Sequence, residues 1–153
     1  LIGLRYSAYS ARRHLLKSEA VMTRTVETRA PSFPEVVPDA ALTPVAAERW
    51  QVLCGDTAHW RVGLYSPNLC SRADVTELER HDCPELFLLL DGRLTLVLSE
   101  GGGRVREVAL DIGKPVLVTS PHNGYCPDGP HTGRALVVER DAFQTEYRDV
   151  SDW

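Results

Sequence analysis

A chain of 153 residues with 43% hydrophobic and 25% charged content has the makeup of one ordinary globular domain. Its longest apolar run, Leu86–Leu90, is far shorter than the roughly 20 residues that cross a bilayer as a helix, so no membrane span is expected. Residues 1–30 hold six Lys and Arg against two acids, and the remainder carries eleven bases against nineteen acids; this acidic body offers no basic face for nucleic acid.

The leader LIGLRYSAYSARRHLLKS has no acid before Glu19 and is rich in Arg, Ser and Ala, a composition shared with organellar transit peptides. Met22 is the only methionine, so residues 1–21 are expected to be an extension outside the folded unit. Pro31, Pro34, Pro38 and Pro44 follow. Their fixed φ and missing donors disfavour helix and inner strand, which makes residues 1–43 a basic leader and extended arm, mostly irregular. The folded domain is placed at 44–153. It should open with a short helix near 44–53, where PVAAERWQVL puts a proline before good helix formers.

Short β-rich runs then recur between turn residues, at 60–66, 75–80, 85–90, 93–99, 104–110, 115–120, 134–140 and 143–148. Eight such strands argue for an all-β sandwich or small barrel. Asp91-Gly92 between two apolar runs predicts a tight hairpin, and the glycines at 101–103 predict the next one rather than a phosphate cradle. Cys54, Cys70, Cys83 and Cys126 form no CxxC pair. Free thiols in a reducing, cytoplasmic setting are expected, with a Cys54–Cys70 disulfide the one pairing left open.

The informative stretch is ERHDCPELFLLLDG, Glu79–Gly92. In extended chain Glu79, His81, Cys83 and Glu85 share a face unless Pro84 bends the run. A barrel interior that receives two carboxylates and an imidazole must hydrate them, pair them or bind a cation, because uncompensated burial is expensive. A divalent ion would meet that need. The competing reading is a histidine bonded to Glu79 or Glu85 with no metal.

Here the sequence resembles the cupins, small barrels of the double-stranded β-helix, or jelly-roll, type. Glu79-Arg80-His81, three residues, Glu85, six residues and Gly92 follow the spacing of the first cupin motif, with Glu79 where the pattern has His. The second motif is matched by Gly113 and by Pro127-Asp128-Gly129-Pro130-His131, one residue short between Gly and His. The resemblance covers about residues 58–141 and implies a divalent ion (Fe, Mn, Zn or Ni) held by His81, Glu85 and a loop histidine, with Glu79 a fourth ligand or a neighbouring base. His131, next to the strand starting near Arg134, is preferred as that histidine over His122, whose Asn123-Gly124 neighbours look like an outward turn. Two carboxylate ligands would neutralise the ion and make it a weaker Lewis acid. Tyr125 and Arg134 are placed at the cavity mouth, His59 at the rim, and Cys83 and Cys126 as small apolar fillers.

The resemblance further implies a small organic substrate and a homodimer in which the arm crosses a partner's sheet edge. Family activities include dioxygenases, isomerases and decarboxylases; the alternative is a barrel that binds or senses a small ligand without chemistry. GxSxG, Walker and Rossmann motifs do not occur, leaving hydrolase, nucleotide and NAD classes without support.

Overall fold

The computed structural model describes residues 22–42 and 48–153. Strands β1 (Arg24–Thr28), β11 (Phe143–Asp149), β4 (Glu77–His81), β9 (His122–Tyr125), β6 (Thr95–Gly101) and β7 (Arg104–Ala109) form one sheet in that order. The second sheet runs β2 (Trp50–Asp56), β3 (Trp60–Tyr65), β10 (Arg134–Arg140), β5 (Glu85–Asp91) and β8 (Val116–Val118). All pairings are antiparallel. No helix among the described residues is long and apolar enough to cross a membrane.

The two sheets face each other as a jelly roll. Tyr65, Phe87, Leu89, Leu96, Leu98 and Val137 pack between them at one end, and the other end is left to polar side chains. Part of the outer face of the larger sheet is covered by the last residues of the chain: Val75, Leu78 and Val97 pack with Val150 and Trp153, and the guanidinium groups of Arg80 and Arg148 both lie against the Trp153 ring.

All eight expected strand runs are strands. Of the helix expected at 44–53, residues 44–47 lie outside the described residues, and Trp50 onward is strand β2. Pairing with β3 overrides the local helix propensity there, because the Trp50 indole lies on Gly63, the one residue of β3 with no side chain to displace it. The hairpin expected at Asp91-Gly92 is also absent. Gly92 does take positive φ, 68°, but β5 and β6 belong to different sheets, so this turn is a corner between layers. Glycines 101–103 do close the β6–β7 hairpin. All four cysteines are free.

Strand β1 was expected to be irregular arm. It pairs with β11 of its own chain, Val26 opposite Thr145. Beyond it the arm is pinned to the barrel: the Ser32 amide donates to Asp141 Oδ1 (2.7 Å), and its hydroxyl donates to the same carboxylate (2.6 Å). Ala58 N–H donates to Asp141 Oδ2 (2.8 Å), leaving this fully buried carboxylate well bonded.

Replacing a strand glycine by alanine ordinarily stabilises by about 0.5–1 kcal/mol. At Gly63 the added Cβ would collide with the Trp50 ring, and overpacking of this kind costs about 1–3 kcal/mol. Gly63→Ala is therefore expected to lower the Tm and to shift the Trp50 contribution to tryptophan fluorescence; an unchanged or raised Tm would show that the indole moves freely.

Candidate metal centre

The polar end of the barrel is assembled from both sheets. Glu79 and His81 alternate on β4, so both point inward. The chain then leaves that sheet through Asp82-Cys83-Pro84 and enters the other as β5, which turns Glu85 back toward His81. Pro84 thus marks a crossing between layers rather than a kink within one strand. His122 is the fourth member. It lies on β9, directly opposite Glu79 in the ladder, and is 4% exposed.

His131 does not reach this group. Its ring Nδ1 is 2.5 Å from the Ser66 carbonyl, its own backbone has φ of 59°, and it does not line the cavity. The histidine that lines the cavity in place of the preferred His131 is His122, which lies on a strand and not in a loop. Tyr125 bonds Glu107 and Arg134 pairs with Asp91, both away from the cavity mouth where they were expected.

Asn123-Gly124 looked like a turn because Asn and Gly usually make one. Here the Asn123 side chain is used across the sheet, its amide donating to Glu77 O (2.9 Å) and its oxygen accepting from Gly124 N–H (2.8 Å) and Tyr65 O–H (3.2 Å). Gly124 admits the Tyr65 ring, whose atoms would stand about 3.1–3.2 Å from any Cβ. The pair reads as strand only once these partners are known.

Both imidazoles are held with Nε2 toward Glu85. His81 Nδ1 is 2.8 Å from Thr145 Oγ1, and His122 Nδ1 is 3.1 Å from the Ser120 carbonyl. A ring nitrogen facing a carbonyl must carry the proton, which leaves His122 Nε2 in the neutral ring as a lone pair aimed at Glu85 Oε2, 3.3 Å away. His81 Nε2 stands 2.6 Å from Glu85 Oε1 without hydrogen-bond alignment, and that oxygen has no partner. Burial drives the His81 ring down to about 4 and the His122 ring downward as well, so both are neutral near pH 7.

The other two carboxylates of the cavity are paired. Glu79 accepts from Arg49 (3.2 Å) and from the Tyr147 hydroxyl. Burial works against its charge, yet Arg49 and the nearby imidazoles bring it below the usual carboxylate range. Glu139 binds Arg61 at 2.7 Å, but burial still pushes its carboxyl upward. Among the described residues no lysine or arginine pairs with Glu85.

Counted with every carboxylate ionised, Glu79, Glu85 and Glu139 against Arg49 and Arg61 leave one negative charge, and Glu85 is the carboxylate without a guanidinium partner. Ligand atoms of Glu79, His81 and His122 lie within 4.8 Å of one another, as do those of His81, Glu85 and Glu139. A buried carboxylate with one orphaned oxygen, its two oxygens faced by the Nε2 atoms of two imidazoles, is a donor set that a divalent ion fits.

No family model and no curated protein matches the chain, but solved structures do. The FeII form of HppE aligns with a TM-score of 0.50 and 14% identity, over 74% of this chain and 64% of that one. An RmlC-like cupin from Desulfovibrio desulfuricans aligns at 0.47 and 11%, over 70% and 98%. A cupin-2 domain containing protein from Shewanella frigidimarina aligns at 0.44 and 13%, over 60% and 78%.

The two facing antiparallel sheets are the jelly-roll arrangement that the cupin resemblance implies, and HppE shares the fold at a TM-score of 0.50. At these identities the likeness is one of fold alone, and the chain spans less than two thirds of HppE. The motif Glu79–Glu85 straddles two sheets because the chain crosses from one to the other between β4 and β5.

Glu85→Gln keeps the shape of this side chain and removes the uncompensated charge. In chelator-treated protein it is expected to raise stability by about 1–3 kcal/mol, while on addition of metal the wild type becomes the more stable. A variant less stable than wild type under both conditions would mean that the carboxylate is satisfied without a cation.

Proposed function

We propose that the barrel holds one divalent ion on His81, His122 and Glu85, with Glu79 at its side, and acts on a small organic molecule. The observation that carries this reading is Glu85 Oε1, a buried oxygen without a hydrogen-bond partner, beside two imidazoles whose Nε2 atoms both face the same carboxylate. Bound there, the ion would supply a Lewis-acidic centre with positions open to substrate, and two imidazoles with carboxylate suit Fe(II), Mn(II) and similar ions.

The surrounding residues set how that centre works. Thr145 and the Ser120 carbonyl fix the ring orientations. Arg49 takes up the charge of Glu79, so a divalent ion would leave the cavity with net positive charge instead of the neutral site expected from two uncompensated carboxylates. That favours a substrate with an anionic or electron-rich oxygen. Glu139, whose carboxyl burial makes readier to hold a proton, lines the same cavity and can take or give one at its carboxylate oxygen.

Titration of Fe(II), Mn(II) or Co(II) into chelator-stripped protein tests the reading. His122→Ala is expected to weaken binding by at least 10-fold, and His131→Ala to leave it unchanged. Loss on His131→Ala with none on His122→Ala would overturn the assignment.

A homodimer fits the outer face of the smaller sheet better than it fits the arm. Leu136 and Leu88 form one row across that face, beside the already buried Leu64, and Val62, Val138, Leu86 and Leu117 form the next. Leu86 is 38% and Leu117 64% exposed, whereas the last residues of the chain cover part of the matching face of the other sheet. Ion pairs Arg134–Asp91 and Arg140–Asp82 flank the rows as a polar rim. Five strands about 4.8 Å apart give a face on the order of 500 Å², and two such faces together reach about 1,000 Å², enough for a specific interface. We propose that a second copy occupies it. Sedimentation should show a dimer that Leu86→Lys with Leu117→Glu converts to a folded monomer; a monomeric wild type at tens of micromolar would exclude this interface.

A further inference from the structure

The arm contributes to the cavity as well as to the sheet. Register carries Val26 on β1 to Thr145 on β11 and on to His81 on β4, so these three make one inward row. The next row is Arg24, Tyr147 and Glu79, continued by His122. Val26 and Thr28 therefore line the same cavity as the proposed ligands, with Thr28 opposite Phe143. Two strand spacings, about 10 Å, separate Val26 from His81 along the row, too far to touch an ion yet within reach of a small ligand's far end.

Val26 is 39% exposed although it faces inward. It is an apolar surface that the protein itself leaves uncovered at the cavity edge. Trp50 reaches the cavity from the opposite sheet, and the whole space is small, about 140 Å³. The wall is fixed in place. Ser32, four residues after β1, holds buried Asp141 by its amide and hydroxyl, and Arg61 joins the Ser32 hydroxyl (3.1 Å) to Glu139 (2.8 Å).

We propose that β1 is a built-in wall of the binding cavity, and that Val26 limits the length of the apolar group a ligand may carry beyond its metal-binding head. The ligand class is a small molecule with a chelating oxygen-bearing end and a short apolar tail. This rests on the metal reading above, and the test separates the two.

Co(II)-loaded protein is titrated with acetohydroxamate, butyrohydroxamate and octanohydroxamate, and binding is followed by the visible Co(II) absorption. The two short probes are expected to bind the wild type, and the octanoyl one at least 10-fold more weakly. Val26→Trp should weaken butyrohydroxamate at least 10-fold while leaving Co(II) and acetohydroxamate affinity within 2-fold. Val26→Ala should relax the discrimination against the octanoyl tail. Thr25→Trp, on the outward face of the same strand, should change none of these. Equal tail preferences in wild type, Val26→Trp and Val26→Ala with Co(II) bound normally would overturn the wall. A wild type that binds no Co(II) would overturn the metal reading, and this inference with it.

Discussion

A carboxylate buried against two neutral imidazoles is an arrangement that folding alone does not favour. Desolvating Glu85 costs several kcal/mol unless something positive meets it, and burial keeps the adjacent rings from becoming that partner, His81 down to about 4 and His122 lowered as well. The chain could have placed an arginine there, as it does for Glu79 and Glu139. Among the described residues Glu85 has none, and the cation proposed above would take that place, where Thr145 and Ser120 aim two Nε2 atoms at this one carboxylate.

The same constraint explains why the centre has to be built across two sheets. Alternation on one strand gives Glu79 and His81 a common direction, but a fifth and a seventh residue further along would only lengthen the row. Crossing to the second sheet at residues 82–84 brings Glu85 back over His81. His122 closes the group from β9, across the ladder from Glu79. No local segment holds the site, so its geometry depends on how the two sheets are packed.

This dependence sets how far the sequence could be read. Strands with clear alternation, such as RALVVER and RLTLVLS, were legible because both their faces have consistent company. The stretch Glu79–Gly92 was legible because its polar residues recur at strand spacing and have no reason to be buried unless they bind something. His122 was not, since Asn123 and Gly124 carry turn chemistry in isolation and become strand residues through Glu77, Tyr65 and the β6 ladder, all distant in sequence. Strand β2 was hidden for the same reason: the local run favours helix, and the indole of Trp50 against Gly63 belongs to the tertiary structure. At Asp91-Gly92 the local part, positive φ, was readable while the destination of the chain was not.

The arm shows how a peripheral strand can matter to such a centre. An edge strand held only by β11 would be free to fray, but Asp141, buried and accepting from Ser32 and Ala58, ties the segment beyond it to the smaller sheet. The arm therefore joins the edge of one sheet to the other, beside the polar end of the barrel. Arg61 bridges its hydroxyl anchor to Glu139 inside the cavity. Ser32 in the arm is therefore two hydrogen bonds, through Arg61, from a carboxyl within ligand distance of His81 and Glu85. The strand proposed as the cavity's outer wall and the acid inside it are thus joined through one chain of hydrogen bonds, from Ser32 through Arg61 to Glu139.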